Sequence, residues 1–231
     1  VAHQLTISAS LWTLLAWGSA TAAGLLYCLH GLQQTRWPFE QYRSDYLTTL
    51  QYPVVIVLFI WLLHSNLSYS GAGSGLPYLP LLNPFDLAQL LVLFALWRWA
   101  RCEGNQPVLP ALYAAAFLWL SAEAARITHH WGGVPFEFDD MFASSMLQAS
   151  LSLLWTSIAM GLMIFASQRA LRTLWFGGFG LLAVVGVKLM LVDLASKGTV
   201  TWTLSLIGIA LLVIAASYFS PAPPKIESGP Q

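Results

Sequence analysis

Seven long runs of apolar residues, separated by shorter polar segments, dominate the chain. A helix that crosses a bilayer needs about 20 mostly apolar residues, and the runs are close to that length. Alternation of apolar and polar residues, which is typical of membrane β-strands, does not extend over a useful length. The pattern therefore predicts an all-α, polytopic transmembrane helix bundle with about seven spans: Leu5–Leu32, Leu47–His64, Phe85–Ala100, Val108–Arg126, Ser144–Ala166, Leu174–Leu194 and Thr201–Phe219. At the start of the third span, Asp86 is expected to cap the helix after Asn83-Pro84.

Composition narrows the class of protein in the same direction. Of the 231 residues, 57% are hydrophobic and 9% are charged, whereas soluble domains carry about 25% charged residues. Ten Lys and Arg balance ten Asp and Glu, so the protein has no strong net field that would attract a polyanion. The lipid bilayer is therefore the expected partner, and nucleic acid is not expected.

Basic residues are distributed unequally between the two sets of loops. The loops after the first, third and fifth spans, with the C-terminal tail, hold seven of the ten Lys and Arg residues. Cytoplasmic loops carry the excess of Lys and Arg, so the pattern predicts an outer N-terminus and a cytoplasmic C-terminus. We expect residues 1–220 to form one transmembrane domain that is the C-terminal part of a longer chain. Residues 221–231, rich in proline and polar residues, are expected to be a disordered cytoplasmic tail.

Ionisable residues within the spans are candidates for function, because each costs about 2.5–3.5 kcal/mol on insertion scales. Glu123 and Arg126 have i, i+3 spacing at the outer end of the fourth span, and His130 extends that face by one more turn. Lys188 and Asp193 lie near the outer end of the sixth span. The pattern predicts an inward-facing outer cluster in which Arg126, Lys188 and Asp193 bind an anionic group. The alternative is that both cations extend to lipid headgroups.

The loop after the fourth span contains the other candidates for chemistry. His129 and His130, with Glu123, are the catalytic candidates, because histidine and carboxylate side chains serve as general acids and bases. Their spacing from Asp139 and Asp140 matches no helical metal motif, so we expect those carboxylates to cap the fifth span and predict neither a metal nor a cofactor. Gly177, Gly178 and Gly180 follow no strand, and they favour close helix packing over dinucleotide binding.

Several segments resemble, in order and content, the C-terminal half of a family of bacterial membrane proteins, domain of unknown function 2339. The resemblance covers about residues 47–224 and implies a multi-pass protein of the bacterial inner membrane. It places Asn83-Pro84, Arg126, the two histidines and the Lys188/Asp193 pair in recognisable motifs, and it transfers no catalytic residue. The segments are LPYLPLLNPFDLAQLL (Leu76–Leu91), EAARITHHWGGVPF (Glu123–Phe136), QASLSLLWT (Gln148–Thr156), VKLMLVDLASKGT (Val187–Thr199) and SYFSPAPP (Ser217–Pro224).

Three functions fit these observations. A structural or assembly module of the cell envelope, with membrane-protein partners, needs the fewest assumptions. An envelope enzyme or transferase would use an outward-facing pocket on a lipid-linked or glycan substrate, with an anionic envelope lipid or glycan as partner. A transporter subunit is the third hypothesis, although its polar residues would be expected nearer the middle of the membrane.

Overall fold

A computed structural model describes residues 2–34, 37, 41–42, 49–72, 77–102 and 105–193, with positions 207, 210, 214 and 218 beyond them. Contacts between residues divide the chain into two compact units, Val1–Phe136 and Glu137–Gln231. Every regular element in the described residues is helical, which agrees with the predicted all-α class. The single domain expected over residues 1–220 stays a prediction. The expected tail lies outside the described residues.

The described residues of the first unit form four long helices. Helix α1 runs over Ala2–Gln34, α2 over Gln51–Ser68, α3 over Pro84–Ala100 and α4 over Leu109–Gly132. A short 3₁₀ helix, Gln106–Val108, leads into α4.

The second unit begins with a short helix, α5, over Phe138–Ala143. Helix α6 spans Ser145–Gln168 and α7 spans Arg172–Lys188, followed by a π-helical turn over Leu189–Asp193. Asp139 and Asp140 lie in the first turn of α5, whereas Ser144 caps α6 by accepting the N–H of Leu147 at 3.3 Å. The expectation that the two carboxylates cap the fifth span is therefore wrong, because a separate short helix intervenes.

Within the described residues, five helices are long and apolar enough to cross a membrane. They are Leu11–Leu32, Gln51–Ser68, Gln106–Gly132, Ser145–Gln168 and Arg172–Leu191, and they correspond to five of the seven predicted spans. Helix α3, the predicted third span, has 17 residues and is therefore roughly 26 Å long at 1.5 Å per residue. Most of the predicted seventh span, residues 201–219, lies outside the described residues. The total of seven and the orientation stay predictions.

The start of α3 is fixed by Asn83 and Pro84. The side chain of Asn83 accepts the N–H of Phe85 at 3.0 Å, and Pro84 occupies the first helical position, where its missing N–H costs nothing. Asp86, expected from the sequence to cap this helix, instead lies fully buried in its first turn. The cap is Asn83, which leaves the carboxyl group of Asp86 free to face other side chains.

Apolar side chains from all four long helices form the core of the first unit. Two indole N–H groups add polar links: Trp61 of α2 donates to the carbonyl of Leu14 at 3.1 Å, and Trp99 of α3 donates to Gln51 of α2 at 3.0 Å. The main cluster of buried residues is Ala22, Leu25, Leu29, Val55, Leu58, Leu62, Val92, Ala95, Leu96, Trp99, Ala100, Leu112 and Ala115.

In the second unit, α6 and α7 approach each other closely at Gly178. Ala159, Met163 and Leu182 form the buried contact between the two helices. A Cβ atom placed on Gly178 would lie 2.7 Å from Cγ of Met163 and 2.9 Å from the carbonyl oxygen of Ala159. The prediction that the glycines permit close helix packing is thus confirmed at Gly178, whereas Gly177 and Gly180 face open space.

Candidate functional site

The guanidinium of Arg126 lies at the centre of a buried polar cluster in the first unit. Arg126 is 0% exposed. Its Nε and Nη2 atoms both lie 2.9 Å from the same oxygen, Oε2 of Glu123, and its Nε lies 3.4 Å from Oδ1 of Asp86. The planar fork of an arginine suits this double contact, which a lysine cannot reproduce.

Two side-chain amides complete the shell around the guanidinium. Nη1 donates to Oδ1 of Asn66 at 3.3 Å, and Nη2 donates to Oε1 of Gln89 at 3.2 Å. Asn66 belongs to α2, Asp86 and Gln89 to α3, and Glu123 to α4, so one side chain connects three helices. We call the set Asn66, Asp86, Gln89, Glu123 and Arg126 the Arg126 network.

The amide of Gln89 extends the network on both sides. Its Nε2 donates to Oγ of Ser65 on α2 at 2.9 Å, and its Oε1 also accepts the indole N–H of Trp119 on α4 at 2.8 Å. Asn66 in turn donates to the carbonyl of Leu62 at 2.8 Å. Hydrogen bonds among buried side chains of different helices favour one arrangement of those helices, and the two amides make such bonds here.

The loop before α3 covers the second oxygen of Glu123. The hydroxyl of Tyr78 donates to Oε1 at 2.7 Å, and the N–H of Leu81 donates to the same atom at 3.4 Å. Burial raises the pKa of Tyr78, and the hydrogen bond to Glu123 raises that pKa further, so the phenol keeps its proton. Leu81 has φ of 66°, a left-handed conformation that is costly for leucine and that presents its N–H to the carboxylate.

Gly71 lets the backbone pass close to the arginine. Its φ is 79°, and a Cβ atom there would lie 3.5 Å from Cδ of Arg126 and 3.4 Å from the ring of Tyr78. The amide of Asn83 donates to the carbonyl of Gly71 at 3.3 Å. On another side, the guanidinium carbon of Arg126 lies 5.3 Å from the centre of the Phe85 ring, within cation–π range.

The two candidate catalytic histidines bind loop carbonyls at the end of α4. His129 contacts the carbonyl of Val134 at 2.6 Å, and His130 contacts the carbonyl of Ser70 at 2.9 Å. The ring of His130 also stacks on Tyr78, with 4.0 Å between centroids. These contacts attach the segment after α4 and the segment after α2 to the end of α4. The catalytic role of the two histidines stays a prediction.

The predicted ligands Lys188 and Asp193 belong to the second unit. The ammonium of Lys188 donates to the carbonyl of Gln148 at 3.0 Å and to the hydroxyl of Ser152 at 2.8 Å, both on α6. Gln148 and Ser152 are buried, so Lys188 connects α7 to α6. The side chain of Asp193 lies outside the described residues. An anion site shared by Arg126, Lys188 and Asp193 therefore stays a prediction.

The expected pairing of Glu123 with Arg126 is present, and His130 continues that face through Tyr78. Sequence reasoning missed Asn66, Gln89 and Tyr78 as members of the site, and it assigned Asp86 only to a cap. Asp86 and Gln89 have i, i+3 spacing within an apolar run, the same signal that identified Glu123 and Arg126. Asn66 and Tyr78 have no comparable spacing, because they reach the network from another helix and a loop.

Long apolar helices and a fully buried charge network define a polytopic membrane protein. The chain belongs to the family described as predicted membrane protein (DUF2339), whose family model matches residues 1–223. The match extends further towards the N-terminus than the resemblance read from the sequence. Comparison with curated proteins and with solved structures gave no match.

Proposed function

We propose that the protein is a structural or assembly module of the bacterial cell envelope, embedded in the inner membrane. In this proposal the Arg126 network is an internal clasp that fixes α2, α3 and α4 relative to one another. The surface that these helices present is then rigid enough to receive other membrane proteins. The observation that carries the proposal is the complete burial of Arg126 among side chains of its own unit.

The partners of the guanidinium support a structural role over ligand binding, because each of its three nitrogens contacts a side chain of its own unit. Arg126 reaches Glu123, Asp86, Asn66 and Gln89 at distances of 2.9–3.4 Å. An external anion would have to displace one of these partners and leave it buried without a counterpart, which costs about 1–3 kcal/mol for a neutral group and more for a charge. A clasp explains the same contacts without that loss.

The surroundings of the network support the same role. Two apolar cavities of about 440 Å³ and 240 Å³ lie in the first unit, and neither is lined by a member of the Arg126 network. The first is lined by residues of α1 and α3, and the second by residues of α1, by α2 and by Leu50. Neither of these two cavities therefore brings a lipid-linked or glycan substrate to the polar groups of the network, as an enzyme would require.

The substitution Arg126→Lys tests the proposal, because it keeps the charge and removes the fork. In cells that lack the native gene, we expect the Arg126→Lys protein to accumulate less in the membrane and to unfold at a lower temperature after extraction. Arg101→Lys is the matched control, since Arg101 is exposed on the same unit. It should change neither quantity.

Native electrophoresis of mild-detergent extracts tests the assembly role separately. We expect the wild-type chain to migrate in a complex much larger than its own 25.4 kDa, and the Arg126→Lys chain to leave that complex. A chain that migrates alone contradicts the assembly role. An Arg126→Lys protein of unchanged stability that fails to complement would instead assign Arg126 to a ligand.

A further inference from the structure

We infer that Asp86 and Glu123 form a carboxyl pair that binds one proton in the folded protein, and that the proton resides on Asp86. This inference concerns the chemistry of the Arg126 network and holds for a clasp, an enzyme or a transporter alike. The inference rests on the contact of two buried carboxyl groups with the same guanidinium.

The charges of the network do not balance if both carboxyl groups are ionised. Asp86 and Arg126 are each 0% exposed, and Glu123 is 4% exposed. Two carboxylates and one guanidinium would leave one net negative charge with almost no access to water. An isolated buried charge costs several kcal/mol even after the protein relaxes. One bound proton removes that charge and makes the network neutral.

Hydrogen bonds distinguish the two carboxyl groups. Glu123 accepts from Nε and Nη2 of Arg126, from the hydroxyl of Tyr78 and from the N–H of Leu81. Donors to a carboxylate stabilise its ionised form. Neither oxygen of Asp86 has a hydrogen-bond partner among the described residues, and its approach to Nε of Arg126 is the longer one, 3.4 Å. The proton therefore belongs on Asp86.

A proton also gives Asp86 a partner. Oδ1 of Asp86 and Oε2 of Glu123 approach the same atom, Nε of Arg126, but two ionised carboxylates are both acceptors and repel each other. Protonated Asp86 becomes a donor and can bond to Glu123. The carboxyl group of Asp86, which otherwise has no hydrogen bond among the described residues, then gains a partner.

The helix dipole acts in the opposite direction and is the weaker effect. Asp86 lies in the first turn of α3, where the dipole favours a negative charge by about 0.3–1 kcal/mol, and up to roughly 2 kcal/mol when partly buried. Burying an unbalanced charge costs more than that. The balance therefore favours neutral Asp86.

Among the residues that the structure describes, few other ionisable groups face this pair. Arg126 and Glu123 approach from α4, and Tyr78 from the loop before α3. His130 reaches the network through its stacking on Tyr78. His64 of α2 is exposed and contacts Ser68 instead. In the described part of α1, the residues packed beside Phe85 are Leu11 and Leu15.

Infrared difference spectroscopy of the chain in lipid nanodiscs tests the inference at neutral pH. We expect the wild type to show the carbonyl stretching band of a protonated carboxylic acid, and Asp86→Asn to lose it. Asp139→Asn is the matched control, because Asp139 is exposed, and it should keep the band. In Glu123→Gln, Asp86 becomes the remaining counterion of Arg126, so the band should again disappear.

If either variant fails to fold, the dependence of the wild-type melting temperature on pH tests the inference instead. A folded state that binds an extra proton loses stability as the pH rises, because it holds more protons than the unfolded state. Because an ordinary aspartate releases its proton at about pH 4, the stability from the extra proton is lost as the pH rises from there to the folded-state pKa of Asp86. We therefore expect the melting temperature to fall by several degrees between about pH 5 and about pH 8. A wild type without the acid band, or with stability that is flat or rising over this range, overturns the inference. Stabilisation by added Na⁺ without that band would assign a metal cation to the pair instead.

Discussion

The two units accommodate a cation in different ways. In the first, Arg126 is completely buried and contacts two carboxyl groups and two amides from three helices. In the second, Lys188 is half-buried and donates to a backbone carbonyl and a hydroxyl of one neighbouring helix. Arginine provides a rigid fork of donors, whereas lysine provides a compact charge on a flexible stem.

This difference in partners determines how much stability is lost when each cation is removed. The partners of Arg126 include Glu123, a charge that would be buried without compensation if the guanidinium were removed. The two oxygens that Lys188 contacts already bond to each other, because the hydroxyl of Ser152 donates to the carbonyl of Gln148 at 2.9 Å. Loss of these two hydrogen bonds of Lys188 thus strands no charge on α6, whereas loss of the guanidinium strands Glu123, and on this ground we expect the first unit to depend more on its cation.

Arg126→Met should have the largest effect. It strands the carboxylate of Glu123 in a buried site, and breaking a buried ion pair in this way costs about 3–5 kcal/mol. The measurement is the free energy of unfolding of the purified chain in mild detergent, with Arg101→Met as the exposed control. A loss no greater than that of the control would remove the contrast between the two units.

Gln89→Leu should have the next largest effect. It leaves the indole N–H of Trp119 and one donor of Arg126 without their acceptor, and each unsatisfied buried group costs about 1–3 kcal/mol. Trp119→Phe removes one donor and leaves Gln89 bonded to Arg126, so it should cost less. Denaturant unfolding of both variants checks this order, which would be reversed if Gln89 only filled space.

Gly178→Ala probes the second unit through packing instead of charge. A Cβ atom at this position overlaps Met163 and the backbone of Ala159, and overpacking of this kind costs about 1–3 kcal/mol. Gly177→Ala is the matched control, because its Cβ would meet no atom within 4 Å. Thermal unfolding should separate the two variants, and equal melting temperatures would show that α6 and α7 can move apart freely.

Lys188→Met should have the smallest effect. Ser152 and Gln148 keep their mutual hydrogen bond, and the methionine preserves most of the apolar stem, so the loss should be about 1 kcal/mol or less. The same unfolding measurement, compared directly with Arg126→Met, checks this expectation. A loss as large as that of Arg126→Met would show that Lys188 contributes far more than its hydrogen bonds to Gln148 and Ser152.

Patterns along the helices predicted much of the fold. The lengths of the apolar runs located five helices that are long enough to cross a membrane. This was possible because the thickness of a bilayer sets one minimum length for every spanning helix. The pattern could not separate α5 from α6, since a six-residue helix at Phe138–Ala143 is too short to show a period. It also misassigned Asp86, because a carboxylate in a first helical turn commonly serves the helix end.

The site was predictable only where its residues share one helix. Glu123 and Arg126 face each other because i, i+3 spacing places them on the same side of α4. Gln89 and Asn66 reach the guanidinium through the packing of α2 and α3 against α4, and Tyr78 reaches it through a loop. Such contacts depend on tertiary structure, so the spacing of residues within one helix cannot predict them.

A double-mutant cycle between Arg126 and Glu123 tests most directly whether the guanidinium is balanced inside its own unit. The measurement is the free energy of unfolding of Arg126→Met, Glu123→Gln and the double variant. An internal ion pair predicts that the double variant loses less stability than the sum of the single variants, by more than about 1 kcal/mol, because it buries no unbalanced charge. Additive losses, within about 0.5 kcal/mol, would contradict the clasp and show that the two charges act independently.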